Sequence, residues 1–268
     1  MSGRVLVTGG SRGIGQACAQ RLAGDGWQVV VAARDASRVE AAVAALPGAG
    51  HRGIALDVAD AEAWSRAADS IGSLDGLVCA AGVLGPVGPV ETVDPQAFVD
   101  TYAINVGGVF NAIHALRPEP TTPIVAFSGG GATGPFARFD AYAASKAALV
   151  RLVENLAADG RRINAVAPGF VVTEMQNDVL AAGPRLAGDA YFERVRAAVD
   201  QGDGEDPAMA AECVAWLLSP AAAGVSGRLV AARWDAWRDG GFAARARSDA
   251  DFATLRRIDE QFFTKAGS

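Results

Sequence analysis

Short apolar runs alternate with alanine-rich segments along residues 4–218 of the chain. The first run, residues 4–7, is continuous and ends at a glycine-rich turn, which is typical of a buried strand. Residues 16–22, which follow the turn, favour a helix. Repetition of such units predicts a parallel sheet with helices on both faces. The pattern therefore indicates the α/β class and a single doubly wound domain.

The composition fits one large soluble domain. The chain has 268 residues, half of them hydrophobic, which is enough to bury a sheet, and no repeat or linker divides it. Its formal net charge of -6 argues against nucleic acid or an anionic membrane as a partner. The first strand begins within a few residues of Met1, and no apolar stretch reaches membrane-spanning length. We therefore expect a cytoplasmic protein without a membrane segment.

Cysteine and histidine are too sparse to suggest a metal centre. Cys18, Cys79 and Cys213 stand singly, as do His51 and His114, and none has the spacing of metal ligands. We expect the cysteines to be reduced core residues, and we expect no metal.

The turn after the first strand has the sequence Thr8-Gly-Gly-Ser-Arg-Gly-Ile-Gly15. Gly9 permits a tight turn, Gly13 lets the main chain approach a pyrophosphate, and Gly15 lets the helix pack on the sheet. The helix N-terminus offers free N–H groups and a partial positive charge to phosphate. The motif therefore predicts a nucleotide site, although an ordinary turn without a ligand is the alternative that the motif alone leaves open.

A second motif, Tyr142-Ala-Ala-Ser-Lys146, brings a phenol beside an amine. Side chains four residues apart lie on one face of a helix, so Tyr142 and Lys146 project into the same space. A nearby ammonium favours the phenolate, so we expect Lys146 to lower the pKa of Tyr142 and to enable proton exchange with an alcohol or carbonyl. Alone, the pair favours a half-buried aromatic beside a solvated lysine.

Further segments in the same order complete a resemblance to the short-chain dehydrogenases/reductases, which extends along nearly the whole chain to about Asp235. The resemblance implies a Rossmann-type fold, an oxidoreductase that uses NAD or NADP, and a homodimer or homotetramer. Besides Tyr142 and Lys146, the cofactor-binding positions that it implies are Gly9, Ser11, Arg12, Gly13, Ile14, Gly15, Asp57, Val58, Ala80, Ala81, Gly82, Pro168, Gly169, Val171 and Thr173.

Each segment resembles a different part of the family's site. Leu56-Asp57-Val58 resembles the segment whose acid contacts adenine, and residues 168–173 resemble the segment that closes over the nicotinamide carboxamide. Cys79-Ala-Ala-Gly82 resembles the Asn-Asn-Ala-Gly turn beneath the cofactor, with both asparagines replaced, so their side-chain support is lost. Asn105 matches the asparagine that holds a proton-relay water.

The serine of the family's site is displaced in this chain. The family usually places it thirteen residues before the tyrosine, where this chain has Gly129, whereas Ser128 lies fourteen before. Equating Ser128 with the family serine also aligns Gly131 and Gly134 with its usual glycines. We therefore expect the Ser128 hydroxyl to bind the substrate oxygen and to stabilise charge developing there. A turn serine in a glycine-rich loop is the alternative.

The end of the second predicted strand, residues 28–34, bears on the choice of cofactor. An acid there would bind the ribose 2′-hydroxyl, but the matching position is Ala33. Arg34 follows it, and Arg12 lies in the glycine turn. Two guanidinium groups suit a 2′-phosphate, so we predict NADP, with NAD possible because Asp35 could take the role of the missing acid.

The sequence thus predicts hydride transfer between NADP and a small carbonyl or secondary alcohol. Ser128 would hold the oxygen, Tyr142 would exchange the proton, and Lys146 and Asn105 would support it. An NAD-dependent sugar or polyol dehydrogenase is one alternative, and a non-catalytic NADP-binding protein that reports redox state is another.

Two segments lie outside the regular pattern. Within a domain of residues 1–237, the stretch 174–206 mounts apolar residues between hinge-like glycines, which suggests a substrate lid or a permanently packed helical hairpin. Residues 238–268 form a tail that we expect to pack on the domain or on a neighbouring subunit. Trp234 and Trp237, which precede the tail, could line the substrate pocket, form a subunit contact or anchor the tail.

Overall fold

The structure, a computed structural model, describes residues 3–256. Seven parallel strands form one sheet in the order β3-β2-β1-β4-β5-β6-β7. This arrangement confirms the predicted α/β class. The strands are β1 Arg4–Thr8, β2 Gln28–Ala33, β3 Arg52–Ala55, β4 Gly76–Cys79, β5 Ile124–Phe127, β6 Ile163–Ala167 and β7 Leu229–Ala231.

Helices cover both faces of the sheet. The helices are α1 Gly13–Gly24, α2 Ala36–Ala44, α3 Ala61–Ile71, α4 Pro95–Tyr102, α5 Gly108–Leu116, α6 Asp140–Ala158, α7 Met175–Ala187, α8 Asp189–Gln201, α9 Pro207–Leu218 and α10 Gly241–Ser248. A single π-helical turn, Ala103–Gly107, joins α4 to α5 without a break in the helical path. Within the described residues, no helix has the length and apolar character needed to cross a lipid bilayer.

The strands are apolar at successive positions because each face of the sheet has its own core. Val5 and Val7 pack into the cluster that contains residues of α1 and α9, whereas Leu6 packs into the cluster formed with α3, α5 and α6. All three side chains are fully buried. Since neighbouring strand residues point to opposite faces, burial on both sides requires a continuous apolar run rather than alternation.

Some helices have a side-chain cap at their N-terminus, whereas α1 does not. Asp35, Asp60, Asp94 and Asp206 each accept a main-chain N–H at the start of α2, α3, α4 and α9, which satisfies donors that a helix leaves free. At the start of α1, Arg12 provides no side-chain cap. The first N–H groups of α1 are therefore available to an external acceptor.

Strand order sets the position of the main cleft. The chain runs outward from β1 to β2 and β3, then crosses back to place β4 on the other side of β1. The loops after β1 and β4 consequently diverge and leave a crevice at their carboxyl ends, where ligands bind in open parallel sheets.

The described part of the tail packs against the domain. Trp237 is buried, donates its indole N–H to the Ala232 carbonyl at 2.9 Å and lies 5.7 Å from Trp216, centroid to centroid. Phe242 of α10 joins the same core. Trp234 is 69% exposed. Trp237 therefore anchors the tail, and neither Trp234 nor Trp237 lines the main cleft. Residues 257–268, the rest of the tail that we expect to pack, lie outside the described part.

The contact between α1 and the glycine turn predicts the effect of Gly15→Ala. A Cβ at Gly15 would collide with the Gly9 carbonyl and lie 2.8 Å from its carbon. We expect a loss of about 1–3 kcal/mol in the free energy of unfolding, measured by urea denaturation. Gly24→Ala in the same helix is the control, because nothing lies within 4 Å of its Cβ position. Equal stability of the two variants would contradict the prediction.

Candidate active site

The crevice beside β1 is a cavity of about 780 Å³. Its walls come from the glycine turn, the ends of β2 and β4, the loop after β3 and the segment after β6. The structure therefore brings together positions that are far apart in the sequence. The predicted cofactor positions that line it are Gly9, Ser11, Arg12, Gly13, Ile14, Gly15, Arg34, Asp57, Val58, Ala80, Ala81, Gly82 and Thr173.

The main chain of the glycine turn forms part of the cavity wall. Gly9 has φ of 64°, and a Cβ there would come within 2.7 Å of the Ala81 nitrogen. Gly13 has φ of 54° and begins α1, whose first turn lacks a side-chain cap. This cradle, with free N–H groups at a helix N-terminus, fits the pyrophosphate of a dinucleotide.

The far end of the cavity, at the end of β2, carries arginines. Arg34 lines it and is exposed. Arg12 contacts the Glu174 carboxylate, and Arg38 donates to both Glu174 oxygens at 3.2 Å. Sequence reasoning found Arg12 and Arg34 but missed Arg38. The position of Arg38 in the sequence could have identified it: it lies four residues after Arg34, on the first turn of the helix that follows the strand.

Asp35, the acid that could serve an NAD site, is engaged elsewhere. Its Oδ1 accepts the main-chain N–H groups of Ser37 and Arg38 and the Ser37 hydroxyl, at distances of 2.7 to 3.1 Å. These hydrogen bonds, led by that from the Ser37 hydroxyl, lower the pKa of Asp35. The carboxylate caps α2, so turning it toward a ribose would leave the start of that helix uncapped.

Residues 57–58 lie at the side of the cavity. The Asp57 carboxylate accepts the N–H of Ala59 at 2.9 Å, which fixes the turn after β3. Val58 is buried, and its carbonyl accepts the indole N–H of Trp64 at 3.0 Å. The turn is thus held rigidly from both sides.

Tyr142 and Lys146 lie on the first two turns of α6, and neither side chain lines the cavity. The Lys146 ammonium donates to the Phe127 carbonyl at 2.8 Å and lies 5.5 Å from the centre of the Tyr142 ring. Gly82 connects this pair to the cavity, because a Cβ there would lie 3.4 Å from Lys146 Nζ and 3.2 Å from Asn105 Oδ1.

Asn105 occupies the π-helical turn and ties three elements together. Its Oδ1 accepts the Val83 N–H at 2.9 Å, and its Nδ2 donates to the Val83 carbonyl at 3.0 Å and to Ser145 Oγ at 2.9 Å. Ser145 in turn donates to the Tyr142 carbonyl. Single π turns inside helices occur frequently at functional sites. Asn105 therefore positions both the loop after β4 and the start of α6.

Ser128 and Gly129 occupy different surroundings. The main chain of Gly129 faces the Tyr142 hydroxyl so closely that a Cβ would collide with Oη and lie 3.0 Å from Cζ. Ser128 is buried, and its hydroxyl has no hydrogen-bond partner among the described residues. The structure therefore places Gly129, and not Ser128, against the Tyr142 hydroxyl, and the enclosed Ser128 side chain does not line the cavity.

The segment after β6 forms the upper wall. Gly169 has φ of 89°, and a Cβ there would press on Glu205 at 2.9 Å. Val171 is buried, and the Thr173 hydroxyl donates to Gln176 Oε1 at 3.1 Å. Pro168, Gly169 and Val171 shape this wall but do not line the cavity, whereas Thr173 does.

Sequence similarity to known proteins identifies the family of this chain. A family model for short chain dehydrogenase matches residues 4–183. The chain belongs to the short-chain dehydrogenase family. Its members are NAD(P)-dependent oxidoreductases that act on alcohols and carbonyls, so this short-chain dehydrogenase is an NAD(P)-dependent oxidoreductase with a small-molecule substrate.

Relatives of this short-chain dehydrogenase act on varied compounds. Serine 3-dehydrogenase of Rhizobium radiobacter is 35% identical over 209 residues, 73% of this chain and 82% of that protein. D-threitol dehydrogenase of Mycolicibacterium smegmatis is 34% identical over 242 residues, 85% and 90% of the two chains. Among solved structures, a single-substitution variant of actinorhodin polyketide ketoreductase with NADPH has a TM-score of 0.75 and 27% identity, covering 86% of this chain and 95% of that one.

Protonation of the pair in this short-chain dehydrogenase differs from the sequence-based expectation. Burial raises the pKa of Tyr142 to about 12, with Tyr191 nearby adding to the effect, and burial lowers the pKa of Lys146 to about 8. The expectation of a lowered pKa for Tyr142 is therefore wrong, because burial outweighs the effect of the neighbouring ammonium. The apolar surroundings disfavour the charged form of each group by more than the charges favour one another.

The lowered lysine pKa predicts a pH dependence if Tyr142 and Lys146 act as the proton-transfer pair. Below about pH 8 Lys146 carries its charge, and above it the amine is neutral, whereas Tyr142 keeps its proton until about pH 12. We expect kcat/KM for carbonyl reduction to fall as pH rises through about 8, because the charge that aids proton release from Tyr142 disappears. Initial rates between about pH 6 and 10 test this; a profile without a decline near pH 8 would contradict it.

Proposed function

We propose that this short-chain dehydrogenase uses NADP to interconvert a small carbonyl compound and its secondary alcohol. The observation that carries the proposal is the group of arginines at the adenosine end of the cavity. Arg12, Arg34 and Arg38 line it, and the neighbouring acid Asp35 is held at the start of α2. Guanidinium groups suit a 2′-phosphate, since each can bind it through two parallel hydrogen bonds.

The remaining parts of NADP would contact the other walls of the cavity. The pyrophosphate would lie on the Gly9–Gly15 turn, adenine beside Asp57 and Val58, and the nicotinamide end between residues 80–82 and Thr173. The bound nicotinamide supplies hydride for reduction or accepts it in oxidation. Pro168, Gly169 and Val171 support this end from behind, because they hold the wall that carries Thr173.

The proposed acid is Tyr142. Its raised pKa keeps the phenol protonated at neutral pH, so it can donate a proton to the substrate oxygen during reduction. Lys146 lies on the same helix face and can release its bond to the Phe127 carbonyl to reach a ribose hydroxyl or the Tyr142 oxygen. For oxidation of an alcohol, Tyr142 takes the proton and the same groups act in reverse.

Ser128 and Asn105 complete the proposed set. The buried Ser128 hydroxyl has no partner within residues 3–256, which is costly unless a ligand atom satisfies it, so we assign it to the substrate oxygen. Asn105 holds the loop after β4 and, through Ser145, the start of α6. We propose that its π-helical turn anchors the water that returns the proton to Tyr142.

An apolar enclosure defines the proposed substrate class. Tyr142 packs in a cluster with Phe136, Phe139 and Tyr191. Residues of α7 and α8 cover this cluster. Gly183, Gly188 and Gly202 have positive φ at the bends of these helices, and their Cβ positions are open. We propose that residues 174–206 move as a lid over a substrate with an apolar body. This enclosure argues against a sugar or polyol, although D-threitol dehydrogenase is a relative.

We also propose that the enzyme is a homodimer or homotetramer. Val99 on α4 and Phe110 on α5 are 56% and 52% exposed. Apolar side chains on consecutive helices suit burial against a second copy of the same surface.

Replacement of the phenol tests the proposed chemistry. Tyr142→Phe should lower kcat for carbonyl reduction by a factor on the order of 10² to 10⁴, because the proton donor is lost. NADPH binding should stay within about twofold of the original, because the ring and its packing are kept. Single-turnover kinetics and fluorescence titration measure the two effects. Full activity of the variant would exclude Tyr142 as the acid.

Ser128→Ala tests the proposed oxygen contact separately. Loss of one hydrogen bond to the developing charge should lower kcat by a factor on the order of 10² to 10³. Thr122→Val is a control for the loss of a buried hydroxyl, because Thr122 precedes the opposite end of β5, and it should leave kcat unchanged. Equal kcat for Ser128→Ala and the original enzyme would contradict the assignment of the Ser128 hydroxyl to the substrate oxygen.

Arginine replacement tests the cofactor proposal. Arg34→Ala and Arg12→Ala should each weaken NADPH binding by a factor on the order of tenfold, because each removes a charged contact to the 2′-phosphate, and should leave NADH binding nearly unchanged. Fluorescence titration with both cofactors measures the ratio. A preference for NADH that neither substitution alters would contradict the choice of NADP.

A further inference from the structure

A carboxylate lies between two of the cofactor-site arginines. Glu174 Oε2 contacts the Arg12 guanidinium, and both Glu174 oxygens accept from Arg38 Nη1 at 3.2 Å. Arg38 also lies 3.7 Å from the Asp35 carboxylate. All of these residues line the main cavity. A negative group of the protein itself therefore occupies the place where the arginines would meet a ligand anion.

The contact joins opposite walls of the cavity. Arg12 belongs to the turn after β1 and Arg38 to the first turn of α2, whereas Glu174 immediately precedes α7. The partners are separated by 162 and 136 positions in the chain. Closure of this bridge therefore holds the start of α7 against the adenosine end of the cavity.

The Glu174 carboxylate in this bridge can be replaced by another anion. Hydrogen bonds from Arg38 and the charge of Arg12 lower the pKa of Glu174, so it is ionised at neutral pH. A phosphate monoester carries more charge and one more acceptor oxygen than a carboxylate, so it binds an arginine pair better. The side chains of Arg12, Arg38 and Glu174 are about half exposed, with values of 50%, 50% and 49%. Such exposed pairs are weak, so a ligand can displace the carboxylate.

We propose that Glu174 is an internal competitor for the 2′-phosphate of NADP and thereby sets the preference between NADP and NAD. Binding of NADP exchanges the carboxylate for the phosphate on Arg12 and Arg38 and frees the start of α7. Binding of NAD leaves the bridge in place. This inference rests on the proposed arginine site, and it assigns a specificity-determining role to a residue on the other side of the cavity.

Glu174→Gln tests the competition with little change of shape. The amide removes the charge, so NADPH should bind more tightly by a factor on the order of three to ten, while NADH binding should stay within about twofold. Fluorescence titrations of the full chain with NADPH and NADH give both dissociation constants. The gain in NADPH affinity should be larger at low salt, because exposed ion pairs are screened as salt is added.

Glu212→Gln is the matched control. Glu212 also bridges two arginines, Arg21 at 3.9 Å and Arg238 at 2.7 Å, and its side chain is similarly exposed at 43%. It does not line the cavity. Its replacement should change neither dissociation constant, so a change common to both variants would reflect net charge alone and would overturn the proposal.

The outcomes separate this inference from the proposed function. An unchanged or lower NADPH-to-NADH preference in Glu174→Gln overturns the competitor role, even if Arg34→Ala and Arg12→Ala confirm the phosphate site. Equal weakening of both cofactors would show that Glu174 binds a part that they share, and it also overturns the role. If the original enzyme prefers NADH but Glu174→Gln shifts the preference toward NADPH, the competitor role stands and the proposed choice of NADP fails.

Discussion

The close approach of main chain to main chain at the first turn is the constraint on which the site depends. Gly15 packs against the Gly9 carbonyl, and Gly9 packs against Ala81, so the turn, α1 and the loop after β4 are locked together without side chains. This contact sets the width of the crevice where the strand order reverses and leaves the first N–H groups of α1 uncapped. Bulkier residues at these positions would separate the walls of the proposed cofactor site and displace the loop that leads to Lys146.

The proposed proton-transfer pair follows a different physical rule. Burial disfavours the charged forms of Tyr142 and Lys146, and the Lys146 ammonium donates to a main-chain carbonyl rather than to an opposite charge. Part of the apolar shell around Tyr142 is contributed by α7 and α8, and Glu174, immediately before α7, contacts Arg12. The proposed phosphate site and the proposed proton-transfer pair thus share one structural element, the segment after β6.

Much of the fold and of the cofactor cleft could be predicted from the sequence, because local signals determine them. Continuous apolar runs specify strands buried on both faces, and Gly9 and Gly15 mark the turn by themselves. Arg38 and Glu174 could not be found in this way, because their meeting depends on how α2 and α7 are placed across the cavity. The pKa values of Tyr142 and Lys146 were equally inaccessible, since burial under distant helices outweighs their proximity on α6. The separate surroundings of Ser128 and Gly129 depend on the path of a glycine-rich loop.

The tail has a consequence for the last strand of the sheet. Leu229 of β7 donates its N–H to the Ala253 carbonyl at 2.8 Å, and the Arg228 guanidinium binds the carbonyls of Ala246, Ala250 and Phe252. A strand with an uncovered edge is a template for pairing with another chain. Residues 246–253 cover part of that edge, and this reduces the number of β7 main-chain groups with which another chain could pair.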